Sequence, residues 1–301
     1  MQKLRIALGF SLAFIAVWIG AFAYISFFPE NQIPDYTKDD GKVSIVATIY
    51  PLAWMASDLD PAATISTIVG PGLEPHDFSP TIDDVKKIQD AELLINNGGV
   101  DAWADDIIND HRSGPTISVL TMLQYPETDP HVWLDPVLMQ RIVESIGGQL
   151  ELIDPKNADV IRDNVSKKVA VLQGIDDEYR AGLASCSVPE VVSSHDAFGF
   201  LAKRYGFTVY GIAGFSPENE PSSAKLVELT DLIRSHHITT VFFEEFTSDA
   251  LSKTLASETD AKSDVLDAIE SLASEESERL EYPGIMEKNL AKLKTAMVCQ
   301  E

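Results

Sequence analysis

The feature that most restricts the fold of this 301-residue chain is a twice-repeated alternation of short β-branched runs with helical patterns, interrupted once by a long helical stretch. In the first half, residues 44–50, 64–69, 91–98 and 116–120 read as strands, because they are short runs with β-branched or apolar residues (Leu93, Leu94 and Ile95 in the third) bounded by turn residues. Helices are predicted between them at about 52–59, 81–89 and 101–110. Thr81 is placed to cap the second of these, with Asp83 and Asp84 in its first turn. The second half repeats the pattern, with strands at 190–195, 207–213, 239–246 and 263–267, and helices at 197–205, 222–236, 249–259 and 284–298. Strands separated by helices pair in parallel, so the expected class is α/β with two doubly wound parallel-sheet lobes. Between the lobes, Val137, Ile142, Val143, Ile146 and Leu150 mark one helical stripe. After a break at Asp154-Pro155, Val160, Ile161, Val165, Val169 and Leu172 mark another. The expected organisation is therefore an N-terminal lobe at 43–135, a long helical strut at 136–185 and a C-terminal lobe at 186–301.

Three of the six histidines stand in constrained settings. His76 lies in G-P-G-L-E-P-H-D-F-S-P, His131 in D-P-H-V-W-L-D-P, and His195 closes V-V-S-S-H-D-A-F. Each has an acidic residue close by. Neutral imidazole is a favoured zinc ligand whose second nitrogen usually meets a carboxylate or carbonyl. The three segments are far apart in sequence, so they could converge only through tertiary folding. A folded metal site is expected rather than a zinc finger. In doubly wound sheets ligands gather beyond the carboxyl ends of the strands. His76 follows its strand through a Gly-Pro-Gly turn and His195 ends its strand, which puts both at the rim of an interlobe cleft.

The remaining polar candidates have more ordinary readings. His236 and His237 end a helix, where a positive charge complements the dipole, and His111 is a loop residue. Glu244 and Glu245 end a strand, either as partners facing the cleft or in an ion pair with a residue such as Arg204. Trp103 and Trp133 are expected to pack around the cleft. Asp77 and Asp196 could orient their neighbouring histidines, although Asp196 could equally cap a helix.

Charge and motifs exclude several functions. The 23 basic residues against 47 acidic ones give a formal charge of −24, and no basic cluster with interleaved aromatics occurs, so nucleic-acid binding is excluded. There is no H-E-x-x-H pair and no G-x-S-x-G elbow, and the chain is not expected to be an enzyme. At the N-terminus, Lys3 and Arg5 precede an uncharged run over 6–28, with Ala21-Phe22-Ala23 resembling a cleavage site. That run would extend roughly 35 Å as a helix, enough to cross a bilayer. Residues 1–28 are thus either a cleaved signal peptide or a retained anchor with membrane contact, and 29–42 a linker. No Cys lies near this segment, so lipid attachment there is not expected. In either case the body is extracytoplasmic, in a periplasm or on the outer face of the membrane. Cys186 and Cys299 could form a disulfide in such a compartment, the alternative being two free buried thiols.

Taken together, these phrases resemble a known family. I-Y-P-L near 49, G-L-E-P-H-D-F-S-P at 72–80, N-G at 97–98 followed by Trp103, and D-P-H-V-W-L-D-P occur in order. They are followed by S-H-D-A-F-G-F-L-A-K-R-Y-G at 194–206, E-P-S-S at 220–223 and Asn289-Leu290. Over most of residues 43–298 the chain is similar to the solute-binding proteins of zinc and manganese ABC importers. The resemblance implies two α/β lobes joined by one long helix, and a monomer that captures metal and delivers it to a membrane permease. It puts His76, His131 and His195 on the first three metal positions. Histidine at the third argues for Zn2+ over Mn2+, because imidazole suits zinc better than the harder ion. The fourth position falls on Asp267, although this chain reads D-A-I-E where the family usually continues Asp-Pro-Leu-Gly. Glu74, Asp264, Glu245 or a water are the alternatives for completing or surrounding the shell. The long His-rich loop of some zinc-scavenging relatives is missing, since 111–128 hold only His111. Two other classes stay open: a surface adhesin stapled by metal, and an exported zinc hydrolase.

Overall fold

The computed structural model describes residues 42–125, 129–217, 219–244, 249–272 and 275–300, with the backbone alone for 275–280. The expected signal or anchor, all of the linker except Lys42, and Glu245 lie outside the described residues. Strands β1 (Val43–Ala47), β2 (Ala63–Thr67), β3 (Leu93–Asn96) and β4 (Thr116–Ser118) form a parallel sheet in the order β2-β1-β3-β4. Strands β5 (Glu190–Ser193), β6 (Thr208–Gly211), β7 (Thr240–Phe243) and β8 (Lys262–Val265) form a second in the order β6-β5-β7-β8. The two sheets thus have the same winding. In each, the chain leaves the first strand on one side and returns on the other, and the crevice of a doubly wound sheet opens at such a reversal.

The helices are set by local chemistry. Helix α1 (Tyr50–Ala56) carries Pro51 in its first turn, where the missing N–H costs nothing. Helix α2 (Ile82–Asp90) is closed by the Thr81–Asp84 capping box, in agreement with the expected cap. Helices α3 (Asp105–His111) and α4 (Val119–Leu123) complete the first lobe. Helix α5 (Pro136–Ile153) begins where the Asp135 carboxylate accepts the N–H groups of Val137 and Leu138. It ends at the Asp154-Pro155 break, and α6 (Ala158–Gly182) follows, its 25 residues extending about 37 Å. The second lobe adds α7 (Gly199–Tyr205), α8 (Ser223–His236), α9 (Ala250–Thr259) and α10 (Glu275–Ala296).

One core joins these parts. Ile45, Leu93 and Ile95 of the first sheet share it with Ile142 and Ile146 of α5 and with Leu172 and Tyr179 of α6. The same cluster includes Val191 and Phe242 of the second sheet and Tyr282, Met286 and Leu293 of α10. Alternate strand residues, Val46 and Leu94 in one lobe and Val192 and Val241 in the other, feed two outer clusters under the flanking helices. Both faces of each sheet are therefore covered, as parallel sheets require. The hydroxyl of Tyr179 donates to Met286 O at 2.8 Å, tying α6 to α10. Arg204 grips the Asp135 carboxylate through Nε and Nη2 at 2.7–3.0 Å. A Cys186–Cys299 disulfide fastens the end of the chain to the start of the second lobe.

Three expectations change. The strand predicted over 116–120 ends at Ser118, because Val119 and Leu120 turn inward as the start of α4. The helix predicted over 101–110 is split into a 3-10 turn (Ala102–Ala104) and α3. Asp101 spends its carboxylate on the N–H groups of Asn97 and Gly98 instead of capping. The helix expected over 284–298 is present, but a further helical stretch from Glu275 precedes it, the two meeting at a kink at Glu281 (φ 53°, ψ −172°), two residues before Pro283. Among the described residues no helix is long and apolar enough to cross a membrane.

Candidate metal centre

Four side chains converge where the carboxyl ends of the two sheets face each other: His76, His131, His195 and Glu270. Their candidate ligand atoms all lie within 4.8 Å of one another. His131 Nε2 is 3.0 Å from Glu270 Oε1 and 3.2 Å from His195 Nε2. Glu270 Oε1 is 3.4 Å from His195 Nε2 and 3.5 Å from His76 Nε2. His131 and His195 are fully buried, and Glu270 is 6% exposed.

Each histidine is fixed by its own segment. His76 sits in the loop after β2, where Glu74 accepts its backbone N–H at 3.1 Å and Trp103 Nε1 donates to Pro75 O at 3.3 Å. Its Nε2 is buried without a hydrogen-bond partner among the described residues. Such an orphaned atom is costly unless something else binds it. His131 is held by Asp129, whose Oδ1 lies 3.0 Å from the backbone N and 2.9 Å from ring Nδ1. The same loop is braced by Asn97 Nδ2, which donates to Pro130 O at 3.0 Å. Gly99 permits this approach, since a Cβ there would lie 2.8 Å from Pro130 Cβ. His195 lies two residues past β5, which ends at Ser193 rather than at the histidine, and its Nδ1 lies 2.5 Å from Glu244 Oε1, which also accepts the Ser194 hydroxyl at 2.6 Å. Asp129 and Glu244 thus occupy the Nδ1 sides and leave both Nε2 atoms facing the cluster, the arrangement that orients metal-binding imidazoles.

Burial works against the Glu270 carboxylate, but hydrogen bonds from His131 and His195, with His76 Nε2 nearby at 3.5 Å, outweigh it and hold this group well below the usual range. Burial would also lower His195, yet the charge and hydrogen bond of Glu244, with Glu270, push it up to about 10. His131 is raised as well, its bonds to Asp129 and Glu270 overcoming burial. Glu74 is pushed up to about 8, first by burial and then by the charge of Glu270.

The sequence expectation needs correction at the fourth position. Asp267 is not in the cluster: its Oδ1 accepts the N–H of Ile269 at 2.7 Å, and Glu270, three residues on, reaches the histidines instead. Asp264 is also elsewhere, half-exposed beside Lys292 at 3.5 Å. Glu74 lies within the His76 segment and accepts the His76 backbone N–H but is outside the group of four. Arg204 pairs with Asp135, so Glu244 is the partner of His195 and not of Arg204. Asp196 neither caps a helix nor orients His195; its Oδ1 accepts the Gly211 N–H at 2.9 Å. Glu270 enters the sequence reading only as the last letter of D-A-I-E, with no motif that marks it as a ligand.

The chain matches the family model described as "ZnuA: Zinc-uptake complex component A periplasmic" over residues 45–296. It is 35% identical over 279 residues to the zinc-binding lipoprotein AdcA of Streptococcus pneumoniae, covering 85% of this chain but only 56% of that protein. The chain therefore spans little more than half the length of that relative. Identity to the high-affinity zinc uptake system protein ZnuA of Bacillus subtilis is 33% over 281 residues, covering 85% of this chain and 88% of the relative. The crystal structure of the Zn(II)-bound ZnuA-like domain of Streptococcus pneumoniae AdcA superposes with a TM-score of 0.74 at 35% identity, covering 85% of this chain and 99% of that domain.

Proposed function

The chain belongs to the zinc-uptake complex component A family, and we propose that it captures Zn2+ between its lobes and passes it to the membrane permease of an ABC importer. The observation that carries this reading is the convergence of three imidazole nitrogens and one carboxylate within 4.8 Å. Zinc favours four N, O or S ligands in a tetrahedron with bonds of about 2.0–2.1 Å, which separates neighbouring ligand atoms by roughly 3.3 Å. The four short separations, 3.0, 3.2, 3.4 and 3.5 Å, bracket that value. The donor set suits zinc better than manganese, which prefers harder oxygen ligands. His76, His131 and His195 would supply neutral nitrogens and Glu270 the charge, and Asp267 would remain outside the shell. Manganese is the competing cargo.

The surroundings support capture and release rather than catalysis. The family description is that of an uptake component, and its "periplasmic" label suits an extracytoplasmic body. Two of the imidazoles are protonated more readily than usual in the empty cluster. Zinc and protons therefore compete for the same nitrogens, which keeps binding reversible.

Titration of the purified protein with Zn2+ and Mn2+ in competition with a chromophoric chelator tests the reading. One zinc per chain is expected, bound more tightly than manganese. His195→Ala should weaken zinc by more than the ~10–100-fold typical of an orienting partner. Equal or tighter manganese binding, or zinc binding unaffected by His195→Ala, would refute it.

A further inference from the structure

We propose that Asp267 and Asn289 are positioning residues that aim Glu270 at the metal by holding a left-handed turn at Ile269; the inference rests on the zinc-capture reading above. Ile269 immediately precedes Glu270 and has φ 58°. A β-branched residue rarely adopts this conformation, because its side chain crowds the backbone. Ile269 is fully buried, and its apolar neighbours in sequence, Leu266 and Ala268, belong to the same core. Packing and hydrogen bonds must therefore enforce what the residue's own preference resists.

The enforcing bonds converge on the turn from two sides. The Asp267 carboxylate accepts the Ile269 N–H at 2.7 Å, which fixes the backbone at the left-handed residue. Asn289, on α10 and 1% exposed, accepts the Asp267 N–H at 3.0 Å and donates to Asp267 O at 2.7 Å. From the first lobe, Trp133 Nε1 donates to Ala268 O at 2.7 Å. The Gly72 N–H meets Ser271 Oγ at 3.0 Å and Leu272 O at 3.1 Å. The turn bearing Glu270 is thus bonded to the segment of His76 and to the residue two beyond His131. A carboxylate committed to the backbone explains why Asp267 is close to the cluster in sequence yet outside it. It also gives a role to Asn289, a recurring feature of the sequence resemblance that no ligand position uses.

The roles of ligand and positioner separate on substitution. An asparagine at 267 keeps a carbonyl oxygen for the Ile269 N–H but offers no charge to a metal, whereas alanine removes both. Zinc affinity by chelator competition, the visible absorption of the Co2+-loaded protein and the melting temperature of the metal-free protein would be measured together. The variants are Asp267→Ala, Asp267→Asn, Asn289→Ala and Glu270→Gln. Asp267→Ala and Asn289→Ala should weaken zinc by ~10–100-fold and alter the cobalt spectrum as the Glu270 ligand loosens. Asp267→Asn should restore both affinity and spectrum. If Asp267→Ala does not fold, Asp267→Ser, which keeps a weaker acceptor for the same N–H, takes its place with a loss of the same sign. Unchanged affinity and spectrum in a folded Asp267→Ala or Asp267→Ser protein would overturn the proposal. So would an Asp267→Asn variant as impaired as Glu270→Gln, which would make Asp267 a ligand. Failure of the unmodified protein to bind zinc would instead overturn the zinc-capture reading on which the proposal stands.

Discussion

His195 sits between two carboxylates with different tasks. Glu244 holds its Nδ1 at 2.5 Å, and Glu270 lies 3.4 Å from its Nε2. Burial lowers this imidazole, but Glu244 and then Glu270 outweigh it and raise it to about 10, which favours the protonated ring in the metal-free protein at neutral pH. A metal needs the neutral ring, and zinc must expel that proton. Calorimetry in buffers of different ionisation enthalpy should therefore register at least one proton released per zinc at pH 7. Apparent affinity should rise about tenfold per pH unit for each proton displaced over the range below about 10. Affinity flat between pH 6 and 8 would show that the empty site is already deprotonated. Much of this scale was legible in the sequence. The three histidines announced themselves by turn-rich, acid-flanked settings at predicted strand ends. The fourth group did not, because a carboxylate's reach depends on turn geometry, and the left-handed Ile269 has no signature in a D-A-I-E string.

At the scale of elements, the packing of α5 on α6 is set by one small residue. A Cβ at Gly147 would lie 2.3 Å from Val165 Cγ2. Valine in a helix has essentially one χ1 rotamer, so it has little freedom to yield. Gly147→Ala should cost ~1–3 kcal/mol in overpacking, exceeding the roughly 0.5–1 kcal/mol gained in helix preference. A lower melting temperature with unchanged zinc affinity is expected, and a raised melting temperature would show that the hairpin is looser than described. The two helices were readable from their apolar stripes and from the Asp-Pro break. Elements shaped by side chains from elsewhere were not. The 3-10 turn at Ala102–Ala104 depends on how Asp101 bonds to Asn97 and Gly98, and α4 on the burial of Val119 and Leu120.

For the molecule as a whole, two like-wound sheets bring the clustered residues together beyond their carboxyl ends, and α6 and α10 contribute to the core that both sheets share. The Cys186–Cys299 bridge closes a loop with a sequence separation of 113 at the far end of the second lobe. Ser187 N–H donates to Val298 O at 3.2 Å and Gln300 N–H to Ser185 O at 2.9 Å beside it. Replacing both cysteines by serine should lower stability by about 2–5 kcal/mol in denaturant titrations. Zinc affinity should be retained, because the bridge touches none of the four clustered residues; a large loss of affinity would mean that the bridge shapes the cleft. The α/β alternation and the doubled pattern foretold this architecture, since they follow from local periodicity. The pairing of the lobes through Arg204 and Asp135 did not show in the sequence, because it joins residues 69 apart that have plausible partners nearer by.

The central claim is that zinc is held by three histidines and Glu270. Anomalous diffraction at the zinc edge from crystals of the zinc-loaded protein tests it most directly. The account predicts one peak per chain, bonded to His76, His131, His195 and Glu270 at about 2.0–2.2 Å, with Asp267 still bonded to the Ile269 N–H. A peak elsewhere, or one coordinated by Asp267 in place of Glu270, would contradict it.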